Sequence, residues 1–195
     1  SWKWGTRFAR NHGPPPGRGA VLLAVGLLGA GRTTAQSDLD VIVIYDPLAE
    51  EMSRGKRSLA TRPYYARLTQ ALITALTAPM AQGRLYEVDM RLRPSGSKGP
   101  VATSWPSFTQ YQKNEAWVWE HLALTRARVL AGSAGLATDI ESFRCEIVSS
   151  TRNRHSVLTE MANMRARLAA AKTPSGVWDA KVGGGRMMDI ELVSQ

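Results

Sequence analysis

Two aspartates precede the most apolar strand-like segment of the chain. Asp38 and Asp40 are separated by one residue and lead directly into the β-branched run at residues 41–45. Alternate side chains of a strand point to the same face, so we expect the two carboxylates side by side. Two like charges at the mouth of an apolar strand repel each other unless a cation lies between them. Because hard divalent cations take oxygen ligands and accompany nucleotide phosphates, the pair predicts metal-assisted phosphoryl or nucleotidyl transfer.

A third aspartate lies on the polar face of another predicted strand. Residues 85–92 alternate, with Glu87, Asp89 and Arg91 on one face and apolar side chains on the other. If this strand neighbours the first, Asp89 completes a cradle of three carboxylates that can hold two metal ions about 3.5–4 Å apart. The alternative is that Asp38 caps a turn and Asp89 is only an ion-pair partner of Arg91.

A glycine-rich turn at residues 26–31 precedes the carboxylates. Its Gly26 and Gly29 allow the backbone to come close to a phosphate. The turn is not a P-loop, because no Gly-Lys-Ser/Thr follows, and it is not a dinucleotide fingerprint, because a strand is predicted next. Ser37 can donate its hydroxyl to a phosphate oxygen or cap the turn.

The chain is strongly basic, with 25 lysines and arginines against 16 acidic residues and a net charge of +9. Nucleic-acid binding is one interpretation of this charge. The basic residues are dispersed, however, and form no run of five, so we predict no nucleic-acid partner. Arg91 and Arg93 instead suit the phosphate oxygens of a triphosphate, because a guanidinium binds phosphate bidentately. They can also balance the charge of the carboxylates.

The order of segments predicts a small α/β unit followed by helices. Strands are expected at residues 20–25, 39–45 and 85–92, and helices at 64–80, 107–114, 116–130, 134–149, 154–171 and from 187 onward. We therefore divide the chain into an amino-terminal extension (1–20), an α/β nucleotidyltransferase core (21–105) and a helical bundle (106–195).

Other chemically notable residues are interpreted as structural. Trp117 is expected in the core, and His121 is expected to pack rather than act as a general base. The single Cys145 excludes an internal disulfide and fits a reducing, cytoplasmic compartment. No apolar run approaches the ~18 residues of a membrane span, and no signal-peptide core is visible, so we expect no membrane partner.

Four stretches of the chain carry a resemblance to a known family. They read A-x-S-D-L-D-V-I-V-I-Y-D around residue 40, L-Y-E-V-D-M-R-L-R-P-S-G from Leu85, Y-Q-K-N-E-A-W-V-W-E-H-L-A-L-T-R-A-R-V-L-A-G from Tyr111, and D-I-E near the end. Together they resemble the glutamine-synthetase adenylyltransferase (glutamate–ammonia-ligase adenylyltransferase) family. The resemblance extends over residues 21–195, and its long second and third stretches are the most specific.

The resemblance implies an α+β fold, namely a polymerase-β-like nucleotidyltransferase core with a helical bundle attached. It implies magnesium-dependent transfer of AMP from ATP to a tyrosine of glutamine synthetase, with a PII-type nitrogen-signalling protein acting on the full-length enzyme. Members carry two such domains, of which one adenylylates and the other removes AMP by phosphorolysis. The motifs R-L-R-P-S-G and E-A-W-V-W-E-H resemble the adenylylating, carboxy-terminal copy more closely. The AMP-removing half, a related uridylyltransferase and a degenerate interaction module are the alternatives.

Matched residue by residue, the resemblance gives Asp38 and Asp40 the paired metal-ligand positions and Asp89 the third. It gives Gly26 and Ser37 phosphate-loop positions.

The chain departs from the family pattern at three places. Leu27 replaces the lysine of the usual M-G-K-L-G turn, and Gln36 replaces the glycine that usually precedes the Ser-Asp pair. Arg186 ends a run of three glycines where the family usually has G-x-G-G before D-I-E. These changes bear on nucleotide binding more than on the metal ligands.

Overall fold

The computed structural model describes residues 3–34, 37–81, 83–84, 86–150, 153–171 and 176–194. Its helices are α1 (Lys3–His12), α2 (Gly26–Gly29), α3 (Thr61–Thr77), α4 (Trp105–Asn114), α5 (Val118–Thr125), α6 (Ala134–Ser149), α7 (Arg154–Ala171) and α8 (Met187–Ser194). Its strands are β1 (Gly19–Ala24), β2 (Leu39–Asp46), β3 (Pro79–Met80), β4 (Gly83–Arg84), β5 (Val88–Asp89), β6 (Thr103–Ser104) and β7 (Arg128–Gly132).

Strand β2 is central in the main sheet. It pairs antiparallel with β1, from Ala24 opposite Val41 to Gly19 opposite Asp46. On its other side β1 pairs antiparallel with β7. Both β5 and β6 run parallel to β2, β5 at its first two residues and β6 near its end. Strands β3 and β4 form a separate two-stranded sheet.

Alternate residues of β2 contribute to two hydrophobic cores. Ile42 and Ile44 are buried in a core shared with β1, α4, α5 and α6. Val41, Val43 and Tyr45 are buried in a second core, shared with α3 and β5 and flanked by α1. A strand that is covered on both faces is apolar at every position rather than at alternate ones, which explains the continuous run at residues 41–45.

The segment predicted as an amino-terminal extension packs on α3. Phe8 of α1 meets Tyr64 edge to face, with ring centroids 5.0 Å apart. The Tyr64 hydroxyl donates to the carbonyl oxygen of Gly13 at 3.0 Å, and the Tyr65 hydroxyl donates to that of Pro16 at 2.6 Å. Burial raises the pKa of Tyr64 to about 12, so this hydroxyl stays a donor over the ordinary pH range.

The structure confirms the α+β class, with a small five-stranded mixed sheet and helices that flank and follow it. The helices predicted at residues 107–114, 134–149 and 154–171 are confirmed as α4, α6 and α7. None of the helices formed by the described residues is long and apolar enough to cross a membrane.

Three predicted elements need correction. The helix predicted at 116–130 is wrong, because α5 ends at Thr125 and residues 128–132 form β7, which is held by backbone hydrogen bonds to β1. The strand predicted at 85–92 is reduced to Val88–Asp89, and Leu85 lies outside the described residues. The apolar stripe of α7, whose helical spacing predicts a core position, is only half-buried at Val157, Met161, Met164 and Leu168, and no residue of that helix is fully buried.

The domain boundary predicted after residue 105 stays a prediction. The structure shows contacts that cross it: β7 pairs with β1, and Leu124 and Ile140 lie in the same core as Val21 and Ile42. The helices that follow the sheet therefore share a core with it.

Candidate active site at the start of strand β2

The carboxylates of β2 and β5 lie in register. In the parallel pairing of these strands, Asp40 is the partner of Asp89, and Leu39 is the partner of Val88. The Leu39 amide also donates to the carbonyl oxygen of Glu87 at 2.8 Å, which extends the pairing by one residue. The condition set by the sequence, that the two strands be neighbours, is therefore met.

Burial and the neighbouring negative charges both disfavour the charged form of Asp40. Burial raises the pKa of this half-buried carboxyl, and the negative charges of Asp89 and Asp38 raise it further. Asp38 itself is exposed just before the strand begins. The charges of Asp38 and Asp89 thus act on Asp40.

Arg91 provides the positive charge at this cluster. Its side-chain nitrogens donate to Asp89 Oδ2 at 2.8 and 2.5 Å, and its backbone amide donates to Asp89 Oδ1 at 2.8 Å. These hydrogen bonds lower the pKa of Asp89, and the charge of Arg91 offsets part of the upward shift of Asp40. The Arg91 side chain is 78% exposed, so it can leave Asp89 without breaking a packed contact.

The carboxylate oxygens are ligands of the type that a hard cation takes, although the side chains do not converge on one point. Among the described residues, no three acidic, histidine or cysteine side chains converge into a cluster that could hold a metal ion. Adjacent carboxylate oxygens are nevertheless ligands of the kind that Mg²⁺ prefers. Asp40 and Asp89 could hold such an ion once Arg91 turns outward, with exposed Asp38 as a third ligand.

Gly26 brings the backbone against the Asp40 carboxylate. The predicted glycine turn forms the short helix α2, and Gly26 begins it with a φ of +57°. A β-carbon at this position would lie 2.5 Å from Asp40 Oδ2, well inside van der Waals contact. Both the left-handed backbone and the close approach therefore require glycine here.

Gly29 fixes the other end of α2. It is buried, and a β-carbon on it would overlap the carbonyl oxygen of Arg126 in the connection between α5 and β7. The role predicted for it was approach to a phosphate, whereas the structure gives it close packing of the turn against the helical segment.

Two other predicted phosphate ligands have structural contacts. Ser37 Oγ accepts the Thr34 amide at 3.0 Å, which is the turn-capping alternative, and Gln36 lies outside the described residues. Arg93 does not extend toward the carboxylates. It is only 9% exposed, and its guanidinium donates to the carbonyl oxygens of Met90, Ser97 and Gly99. Arg93 therefore organises the loop that follows β5, and this corrects the expectation of a free phosphate fork.

The cluster around α5 is packed differently from the prediction. Trp117 is 52% exposed and faces Arg167 of α7, so the core position predicted for it is wrong. A ring nitrogen of His121 lies 2.9 Å from the Gln112 carbonyl oxygen, in keeping with its predicted packing role. The buried carboxylate of Glu120 accepts hydrogen bonds from the Tyr111 hydroxyl and the Trp117 amide. The second of these bonds caps the start of α5.

Sequence reasoning missed a basic cleft beside α2. Its arginines come from separate segments and include Arg126 and Arg128, which stand one residue apart on either side of the start of β7. Their spacing was visible in the sequence, but the assignment of residues 116–130 to a helix concealed that this segment returns to the sheet.

Comparison with known proteins identifies the family to which the chain is similar. A sequence model of the family described as glutamate-ammonia ligase adenylyltransferase matches residues 2–142. Proteins named bifunctional glutamine synthetase adenylyltransferase/adenylyl-removing enzyme are 46% identical over 189 residues in Mesorhizobium japonicum, 46% over 186 in Agrobacterium fabrum and 45% over 190 in Bradyrhizobium diazoefficiens.

These alignments cover 96%, 94% and 97% of this chain but 19% of each relative, so the chain spans about a fifth of their length. The match includes β2, β5 and α2, which carry the carboxylates and the glycine turn. The chain therefore belongs to the glutamate-ammonia ligase adenylyltransferase family.

Proposed function

We propose that this chain transfers AMP from ATP to a tyrosine of glutamine synthetase in a magnesium-dependent reaction. The observation that carries the proposal is the register of Asp40 with Asp89, next to a glycine turn that approaches Asp40 closely. The names of the relatives support adenylyl chemistry with glutamine synthetase as the protein substrate. A PII-type regulator acting on a full-length enzyme belongs to the same proposal.

Asp38, Asp40 and Asp89 serve as the oxygen ligands in this proposal. Bound magnesium supplies neutralisation of the triphosphate charge and acidification of the attacking hydroxyl. The tyrosine oxygen attacks the α-phosphorus of ATP, the bond to the β-phosphate oxygen breaks, and pyrophosphate leaves. Arg91 turns from Asp89 to a phosphate oxygen, which frees Asp89 to accept the hydroxyl proton.

The amino-acid sequence of the segments around Arg91 and Trp117 favours the adenylylating half over the AMP-removing half. Both activities stand in the relatives' names. Incubation with adenylylated glutamine synthetase and phosphate separates them, because phosphorolysis of the AMP-tyrosine bond yields ADP. ADP formation without AMP transfer in the forward direction would reverse the assignment.

A non-catalytic module is the second candidate, and one observation favours it. Leu27, which stands at the position of the family's lysine, is 38% exposed on α2 and offers no charge to a phosphate. Calorimetry with ATP and magnesium decides between the two candidates. Heat of binding supports the enzyme, and its absence supports the module.

The direct test mixes the chain with unmodified glutamine synthetase, labelled ATP and magnesium. We expect label on a tyrosine of glutamine synthetase. The control is the Asp38→Asn/Asp40→Asn double variant, which keeps the size of both side chains but removes two of the three charges. Equal labelling by this variant would overturn the proposed site.

A further inference from the structure

The basic cleft beside α2 has a volume of about 810 Å³. Its charged lining residues are Arg32, Arg126, Arg128, Arg144, Glu141 and Glu191. Four positive charges against two negative charges leave the lining with an excess of two positive charges. The arginines come from three segments, namely the turn after α2, the α5–β7 connection with the start of β7, and α6, so the positive charge does not follow a single helix.

Two of these arginines already bind carboxylates of the chain. Arg144 Nε donates to Glu141 at 2.9 Å, and Arg126 Nη1 lies 3.4 Å from a Glu191 carboxylate oxygen of α8. Arg144 also donates to the Leu124 carbonyl oxygen, which fixes its guanidinium. The cleft therefore has the geometry for carboxylate groups, and its own acids occupy part of that capacity.

Arg32 and Arg128 are exposed in the same cleft. Arg128 Nη2 lies 3.4 Å from the Leu28 carbonyl oxygen, at the carboxyl end of α2, and 3.8 Å from where a β-carbon on Gly31 would stand. Gly26, which faces Asp40, is at the opposite end of the same four-residue helix. The cleft is thus adjacent to the candidate active site, but its carboxylates are not among the residues that line the cleft.

The lining favours a carboxylate-rich chain over a nucleotide. None of the described residues that line the cleft is aromatic, so a base would find no ring to stack on. The volume exceeds the needs of a single phosphate, and exposed Leu27 adds apolar surface beside the arginines. Arginines spread around a cleft suit several carboxylates along a peptide.

We propose that this cleft binds an acidic segment of the protein that receives AMP. The inference rests on the proposed function, because that function supplies a protein substrate whose tyrosine must be held close to Asp40. Docking about one short helix away from the carboxylates orients the substrate and raises the local concentration of its hydroxyl.

The first test measures binding of a fluorescein-labelled hexaglutamate peptide to the whole chain by anisotropy, without magnesium or nucleotide. Arg32→Ala/Arg128→Ala should weaken binding about tenfold, which corresponds to a loss of about 1.4 kcal/mol for the two charge-assisted pairs together. The matched control, Arg67→Ala/Arg154→Ala, removes the same charge at exposed positions outside the cleft and should change binding less than about twofold. Equal weakening by both pairs, or none by either, would overturn the docking site.

A competition arm separates the cleft from the nucleotide site. Tripolyphosphate and magnesium-ATP are titrated against the bound peptide. Persistence of peptide binding under saturating magnesium-ATP supports a separate site, whereas displacement assigns the cleft to the nucleotide and contradicts the proposal.

The transfer assay links the cleft to the reaction. In Arg32→Ala/Arg128→Ala the KM for glutamine synthetase should rise about tenfold, with kcat and the KM for ATP unchanged. Normal transfer and KM in a variant that has lost the peptide would refute the inference alone. Peptide binding by a wild-type chain that transfers no AMP would instead refute the proposed function alone.

Discussion

Strand β2 carries an aspartate near each end, and the fold surrounds the two carboxylates differently. Asp46, its last residue, is 5% exposed, 3.3 Å from Arg18 Nη1, and accepts the Leu48 amide at 3.2 Å. Asp40, its second residue, faces two further carboxylates, and its pKa is raised. Among the described residues, Arg91 is the cation whose charge acts on Asp40, and its guanidinium is bound to Asp89.

The difference separates an acid that is paired inside the fold from an acid of the candidate active site. Asp46 is neutralised inside the chain, so its contacts stabilise the fold. Asp40 is only partly compensated, so the folded chain keeps a negative site that an external cation can stabilise. Substitutions of Asp40, Asp46 and Gly26 test this difference.

The largest effect is expected on AMP transfer. Asp40→Asn should lower it by roughly 10³-fold or more, because it removes a proposed magnesium ligand worth several kcal/mol. Asp46→Asn should leave transfer within a few-fold of wild type but cost about 1–2 kcal/mol of stability, through weaker contacts with Arg18. Transfer rates and thermal unfolding of both variants check the comparison, and loss of transfer in Asp46→Asn alone would break it.

A smaller loss of transfer is expected from Gly26→Ala. The added β-carbon displaces the Asp40 carboxylate, and a shift of ~1 Å at a catalytic group lowers the rate roughly 10²-fold. Gly83→Ala is the matched control, since Gly83 also has a positive φ, of +103°, with nothing within 4 Å of the new β-carbon. Equal losses in both variants would show that backbone strain, rather than contact with Asp40, is responsible.

Magnesium should raise the free energy of unfolding by binding at the Asp40 end of β2 and not at the Asp46 end. At ten times its Kd, a ligand that binds the folded state adds roughly 1.4 kcal/mol, which is about 3–6 °C in Tm for a chain of this size. We expect this shift in wild type and in Asp46→Asn, and its loss in Asp40→Asn. Differential scanning fluorimetry with magnesium and with EDTA measures it, and a full shift in Asp40→Asn would exclude Asp40 as a ligand.

The smallest effect is the pH dependence of stability without metal. The folded chain holds the Asp40 proton more tightly than the unfolded chain does, so this contribution is present below the ordinary carboxyl pKa and is lost as pH rises through the raised value. Asp40→Asn should therefore have a higher Tm than wild type at pH 7 in EDTA, and the gap should narrow toward pH 4. A lower Tm at pH 7 would show that the carboxylate is stabilised rather than repelled.

Local sequence patterns were sufficient for the elements that determine the candidate site. The β-branched run and the spacing of Asp38 and Asp40 predicted β2, and the alternation around Asp89 predicted a polar strand face. Their pairing could be stated only as a condition, because register between strands about fifty residues apart depends on tertiary packing.

Tertiary contacts decided the remainder. The segment of β7 follows α5 without a turn signal, and only its hydrogen bonds to β1, about a hundred residues earlier, make it a strand. The sequence likewise contains nothing that says whether the Arg93 guanidinium turns toward phosphate or toward three backbone carbonyls.

Gly29 has a consequence for how the two halves of the molecule communicate. The turn that begins with Gly26 lies directly against the carbonyl oxygen of Arg126, so a displacement of the α5–β7 connection toward α2 would push that turn. A protein that binds the helices after the sheet would thereby change the distance between Gly26 and Asp40. In the proposed enzyme, such binding would slow transfer without occupying the active site.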